Sequence, residues 1–298
     1  MNIIPRVAAI NDISGYGRVS LTEAIPVMSA MGIEVCPLPT AVLSTHTYKF
    51  ENYTFCDMTE EMPKVIDHWE RLGLKFDAIY SGYLGSKEQI DIVCDFINRF
   101  GSSALIVVDP VLGDNELYDN NELYSENMIG IAEEMKYLVH HADVITPNLT
   151  EACLLLGEEY ISHPLSDDEL CRVLKGLSEL GVDKIAITSV MTGKDEMSVG
   201  VYDKSEDKYY KIDCGYVSRP FHGTGDLFTS ALTGALLKGY SFIDASNLAV
   251  GFIREAIALT LKYPEMKIEN GVIFEPLLAP YFAKNTYEKF YTEIGEQL

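Results

Sequence analysis

The chain has 298 residues, 47% of them hydrophobic and 23% charged, so it can bury a sizeable core in one large or two ordinary domains. Its formal net charge of −22 argues against nucleic-acid and anionic-membrane partners, because an acidic surface repels phosphodiester backbones and acidic lipids at long range. No stretch approaches the roughly 20 apolar residues of a membrane span, and the six scattered cysteines form no CxxC pair, which speaks against a zinc site and for reduced thiols in a cytoplasmic protein.

Along the chain, apolar β-rich runs alternate with segments of helical period. The pattern predicts a strand over 6–11, a helix over 21–31, a strand over 34–38, a helix over 59–72 and a strand over 78–81. Ser86 to Gln89 has capping-box spacing and opens a helix to about Phe100. Next come a buried strand over 104–110, a helix over 129–140, a strand ending near 148 and a short helix over 148–157 closed by Gly157. Ser166 and Glu169 form another capping box, before a helix to Leu180 and a strand over 184–189. Segments 198–203 and 208–217 read as a hairpin, and two helices follow, 227–238 and 243–261. Strand and helix alternating this often predict an α/β fold: a mainly parallel sheet with helices on both faces and antiparallel strands at one edge. No repeat, low-complexity tract or Pro/Gly/Ser linker divides the chain, so 1–298 reads as a single domain.

Ligands of open α/β sheets sit beyond the carboxyl ends of the strands. Asn11 and Asp12, Ser81 to Tyr83, Asp109 and Asp114, Thr146, Asn148 and Glu151, and Thr188 and Ser189 all fall there. So does Gly223-Thr224-Gly225-Asp226, directly before an apolar helix. Glycines expose backbone N–H groups, and a helix start adds orphan amides and a positive dipole end, which makes a cradle for phosphate. A carboxylate beside such a cradle suits a general base; the same four residues also suit a plain turn with Asp226 as a helix cap. Asp109, Asp114 and Glu151 are hard oxygen ligands of the kind Mg²⁺ takes, and a chain this acidic needs a divalent cation to hold a polyphosphate. Asp109 and Asp114 taken singly also suit turns, and Asn148 suits a helix N-cap. Among 18 tyrosines, Tyr83 and Tyr124 also fit ordinary half-buried positions, and His46 fits a hydrogen-bonded structural one.

The set Ser44-Thr45-His46-Thr47, Ser81-Gly82-Tyr83, Asp109 to Asp114, Ile145 to Glu151, Ile187-Thr188-Ser189 and Gly223 to Asp226 stands in one order over nearly the whole chain. In that order and spacing it resembles the ribokinase superfamily, specifically its vitamin B6 branch, the pyridoxal (pyridoxine, pyridoxamine) kinases. The resemblance implies a ribokinase-like three-layer α/β/α sandwich and ATP-dependent phosphorylation of the 5′-hydroxymethyl group of a B6 vitamer. It implies Asp226 as base, Gly223, Thr224 and Gly225 as anion hole, and Asp12, Thr47, Tyr83 and Tyr124 around the vitamin ring. The resemblance further implies that Asn148, Glu151, Thr188 and Ser189 meet the nucleotide, that Asp109, Asp114, Thr146 and Glu151 serve Mg²⁺ and a potassium ion, and that the chains pair as homodimers.

Two positions depart from that pattern. Asn11-Asp12-Ile13 replaces a Gln-Ser-His-like run, placing a carboxylate where a serine hydroxyl meets the substrate, and Leu43 replaces an aromatic that packs on the ring. The expectation is that Asp12 favours a protonated ring nitrogen or an aminomethyl group. The rival readings are a hydroxymethylpyrimidine kinase of thiamine synthesis, which shares the fold and a segment like Ser14-Gly15-Tyr16-Gly17, and a vitamin-binding homologue without turnover.

Overall fold

The computed structural model describes residues 3–113, 128–194, 196–215, 221–284 and 286–295. Their strands are β1 (Arg6–Ser14), β2 (Glu34–Leu43), β3 (Phe55–Asp57), β4 (Ala78–Ser81), β5 (Leu105–Val108), β6 (Val144–Ile145), β7 (Lys184–Gly193), β8 (Glu196–Asp203), β9 (Lys208–Asp213) and β10 (Tyr291–Ile294). They form one sheet in the order β10-β9-β8-β7-β6-β5-β4-β1-β2-β3. β2, β1, β4, β5, β6 and β7 are mutually parallel, whereas β3 at one end and β8, β9 and β10 at the other pair antiparallel.

Both faces are covered because strand side chains alternate across the sheet. In β1, Ala8 and Ile10 join one core with residues of α2 (Met62–Arg71), α3 (Lys87–Phe100), α4 (Met128–Val139), α5 (Leu149–Leu156) and α6 (Asp167–Ser178). Val7 and Ala9 join the other, with α1 (Leu21–Ala30), α7 (Thr224–Leu237), α8 (Phe242–Thr260) and α9 (Leu278–Phe282). This is the three-layer arrangement expected, and no helix among the described residues is long and apolar enough to cross a membrane.

The differences from the sequence reading lie at the edges. β2 runs to Leu43 and returns as β3, where the pattern gave a strand only to Leu38. Pro37 and Pro39 obscured it, and they are tolerated because β3 borders β2 only at 41–43, leaving that stretch at a free edge. β7 continues to Gly193 as a partner of β8, and β10, four residues with two polar ones, gave no strand signal.

The connections place the site. After β1 the chain crosses by α1 to β2 on one side, then by α2 to β4 on the other, so strand order reverses between β1 and β4. A crevice opens at such a switch point, at the carboxyl ends of the strands.

Candidate active site

α7 begins at Thr224, the second residue of the Gly-Thr-Gly-Asp motif. Gly223 is its N-cap at φ 83°, and a Cβ there would stand 2.2 Å from the Arg18 carbonyl oxygen. Conformation and close approach therefore both require glycine at that position. Gly225 serves differently: it is exposed, and a Cβ there would meet only Asp109 Oδ2, at 4.0 Å. Its missing side chain keeps the space between the helix start and Asp109 open, in front of the first-turn amides.

Asp226, in the first turn of α7, turns back to the β1 end of the crevice. Asn11 Nδ2 donates to its Oδ1 at 3.0 Å, the Ser20 amide to its Oδ2 at 2.9 Å, and the Tyr80 hydroxyl to Oδ1 at 3.3 Å. Burial pushes the carboxyl up to about 6, with Asp12 pushing the same way and the three donors holding it down. A carboxylate titrating just below neutrality is ionised at pH 7 yet basic enough to take a proton.

Asn11 and Asp12 are both buried where β1 bulges against β2. Asn11 Oδ1 accepts the amides of Asp12 and Tyr83, each at 2.9 Å, which fixes its Nδ2 toward Asp226. Asp12 accepts from the Ser20 hydroxyl at 2.5 Å on Oδ1 and from the Ser14 hydroxyl at 2.9 Å on Oδ2, so both oxygens are engaged within the protein. Tyr83 is half-buried, its hydroxyl raised by burial and by the charges of Asp12 and Asp57 with Tyr53 alongside. Thr47 is exposed on the loop after β2. His46 is buried, its Nε2 2.6 Å from the Glu269 carbonyl and its Nδ1 accepting the Tyr48 amide at 3.2 Å. His46 and Tyr48 flank the ring of His222, the residue before the glycine turn, at 4.4 and 5.1 Å.

Across the crevice, Asp109 ends the strip begun by β5. Thr229 of α7 donates to its Oδ2 at 3.1 Å and lies 2.8 Å from the Thr146 hydroxyl, so three buried oxygen groups form a chain. Burial, then the charges of Glu151 and Asp226, push the Asp109 carboxyl well above its usual range. Glu151 accepts the Leu112 amide on Oε1 and the Asn148 amide on Oε2, both at 2.9 Å. Asn148 caps α5 in a reciprocal capping box, and its Nδ2 donates to the Gly113 carbonyl at 2.8 Å. The N-cap reading of Asn148 therefore holds, and the pair pins the turn after Asp109 to the start of α5. Val111 in that turn has φ 36°, a strained value for a β-branched residue.

In β7 the register shifts between Ile187 and Val190, and Ser189 sits at φ 56°. At this bulge the Thr188 amide donates to the Pro147 carbonyl at 2.8 Å, and Thr188 bridges in parallel to Asn148. Thus Asp12, Tyr83, Asp109, Thr146, Asn148, Glu151, Thr188, Ser189 and Gly223 to Asp226 lie along one row of strand ends. Asp114 and Tyr124 lie outside the described residues. Sequence reasoning missed Ser20, Tyr80 and Thr229, which sit inside apolar or helical runs where only contacts across the fold reveal them. It also missed Glu23, fully buried on α1 with a carboxyl oxygen 3.1 Å from where a Gly223 Cβ would stand.

A glycine turn at a helix start, a carboxylate beside it and acidic groups opposite, on this sheet, are the arrangement of a small-molecule kinase of ribokinase-like fold. The sequence profile of the phosphomethylpyrimidine kinase family matches residues 25–271, and the chain belongs to that family. A candidate phosphomethylpyrimidine kinase of Bacteroides thetaiotaomicron, crystallised with pyridoxal, is 42% identical over 98% of this chain and 100% of its own, with a TM-score of 0.89. Pyridoxal kinase from Lactobacillus plantarum is 30% identical over 95% and 98%, with a TM-score of 0.84. The pyridoxal kinase PdxY of Pasteurella multocida is 27% identical over 89% of this chain and 92% of its own.

Proposed function

We propose that this enzyme transfers the γ-phosphoryl group of ATP to the 5′-hydroxymethyl group of pyridoxal, pyridoxine or pyridoxamine. The observation that carries this reading is Asp226: a carboxylate tuned to about 6, fixed by three donors, at the mouth of a helix start whose glycine leaves the approach open. Its position lets it accept the alcohol proton as that oxygen attacks the γ-phosphorus in line; the P–O bond to the β-phosphate breaks and ADP leaves. The amides of Gly223, Thr224 and Gly225 face the transferred group, where charge spreads over its oxygens. Asn148, Glu151, Thr188 and Ser189 line the nucleotide side, and Thr47 and Tyr83 the ring side. The relatives that act on pyridoxal, together with the form crystallised with it, favour a B6 vitamer over a hydroxymethylpyrimidine.

Asp109 and Thr146, with the Glu151 carboxylate beside them, fit a cation. The buried Asp109 carboxyl forms no salt bridge among the described residues, and Glu151 and Asp226 crowd it with like charge. Mg²⁺ there supplies neutralisation of the polyphosphate, and a potassium ion fits beside Asp109 and Thr146. All described strands belong to one sheet, which supports a single kinase domain over 1–298. A homodimer accords with apolar side chains left exposed on the β2–β3 hairpin, Val42, Tyr53 and Phe55. The cysteines are all free, which accords with a cytoplasmic enzyme.

The test is a MgATP assay across pyridoxal, pyridoxine, pyridoxamine and hydroxymethylpyrimidine. A kcat/KM for the best vitamer at least about tenfold above that for the pyrimidine is expected. The reverse order overturns the substrate assignment, and ATP consumption that no alcohol stimulates overturns the kinase reading.

A further inference from the structure

Among the described residues four helices open on a serine N-cap, and three of them behave alike. Ser86, Ser166 and Ser241 are extended, at φ/ψ of −157°/160°, −68°/162° and −60°/159°, and each hydroxyl accepts an amide of its own helix. Ser20, before α1, does neither. It sits at φ 54°, ψ −134°, a region that residues with a Cβ rarely occupy, and its hydroxyl makes no cap bond. That hydroxyl is given instead to Asp12 Oδ1, at 2.5 Å, while Ser14 holds Oδ2 at 2.9 Å. The consequence falls on the reacting end of the site: in this conformation the Ser20 amide points at Asp226 Oδ2, 2.9 Å away.

We propose that Asp12 is a positioning residue for the base: through the Ser20 hydroxyl it holds Ser20 in a glycine-like conformation that delivers the Ser20 amide to Asp226. The two residues at the bulge of β1, Asn11 and Asp12, then act as a pair. Asn11 orients one carboxylate oxygen directly and Asp12 orients the other through Ser20, so the two oxygens of the base have separate anchors. The carboxylate at position 12 thereby has an occupation distinct from contact with the vitamin ring. Both its oxygens are engaged, and the residue is 7% exposed.

This rests on Asp226 as the base, and the two readings fail separately: turnover retained by Asp226→Asn removes the base assignment whatever Ser20 shows. The decisive comparison is Ser20→Ala against Ser20→Gly, measured by steady-state kinetics with pyridoxal and ATP. Both lose the hydroxyl, but only glycine adopts the required conformation without strain. Expected is a fall of about 30-fold in kcat for Ser20→Ala with both KM values within about threefold of wild type, and a kcat for Ser20→Gly at least about tenfold above that of Ser20→Ala. A smaller ratio overturns the proposal. Asp12→Ser should lower kcat to a similar degree without reordering pyridoxal, pyridoxine and pyridoxamine, and adding Ser20→Gly should restore at least about tenfold. A reordered preference with kcat kept, or no restoration, overturns it in favour of a ring contact. If circular dichroism shows Asp12→Ser unfolded, the alanine–glycine pair at position 20 decides alone.

Discussion

The two walls of the crevice hold charge in opposite ways. On the β1 wall Asp226 is surrounded by neutral donors, the Asn11 amide, the Ser20 N–H and the Tyr80 hydroxyl, and its geometry is complete in the protein alone. On the β5–β6 wall Asp109 and Glu151 repel one another, and the hydrogen bonds they receive fix positions without cancelling charge. On the proposed reading the first wall reacts and the second is completed by a cation, through which an acidic protein would take up a polyphosphate in its metal-bound form.

The sharpest way to break that contrast is to remove the proposed base, Asp226. Asp226→Asn keeps the size and most of the hydrogen bonds, so the KM for ATP should stay within about threefold while kcat falls by roughly 10³-fold or more. In wild type, kcat/KM should rise with pH through an apparent pKa of about 6, since only the ionised carboxylate accepts the proton. A profile flat from pH 5 to 8, or an asparagine variant with tenfold-reduced turnover, would remove the base from its role. On the opposite wall Asp109→Asn should lower kcat by about 10- to 100-fold and raise the Mg²⁺ concentration for half-activation. It should also raise the melting temperature of the metal-free protein, because it relieves like-charge crowding. An unchanged Mg²⁺ titration would show that this wall is not completed by the ion.

How much of this was legible follows the same division. Position along a strand end is written in local sequence: Asp109 after a β-run, Thr146 and Asn148 around Pro147, and the glycine turn before an apolar helix were all readable. So was the parallel sheet, because its strands are continuous apolar runs. The short-range capping pairs Asn148 with Glu151 and Ser166 with Glu169 follow from spacing alone. What could not be read is the support of the base. Tyr80 lies 146 residues from Asp226 in sequence and Ser20 lies 206, and each sits in a run that looks like plain core or plain helix cap. Asp12 was placed at the right end of the right strand, but only the contact to Ser20 shows where its oxygens go. The strands missed, β3 and β10, are three and four residues long and at the edges, where pairing rather than composition makes them strands.

The smallest expected effect on turnover, and the one most specific to the β1 wall, concerns Glu23. It stands behind the glycine turn on α1, fully buried, with neither carboxyl oxygen hydrogen-bonded among the described residues. Burial, then the charge of Asp226, push this carboxyl well above its usual 4.5, and Arg18 opposes them more weakly. Two carboxyls so close compete for charge: Asp226, with three donors, is the better supported as an anion, and Glu23, with none, holds its proton more tightly than a free glutamate. The sign for stability follows. A carboxyl whose value is raised by folding contributes fully below about 4.5, and that contribution is lost as pH climbs through the raised value, because the unfolded chain releases the proton more readily. Glu23→Gln removes the titration at nearly constant shape. Its stability should match wild type near pH 4 and exceed it increasingly as the pH rises to 8, measured by urea denaturation at each pH, while kcat changes by less than about threefold. A stability difference that stays constant from pH 4 to 9 would mean Glu23 carries its charge in the folded protein, and the two carboxyls would then be alike rather than divided.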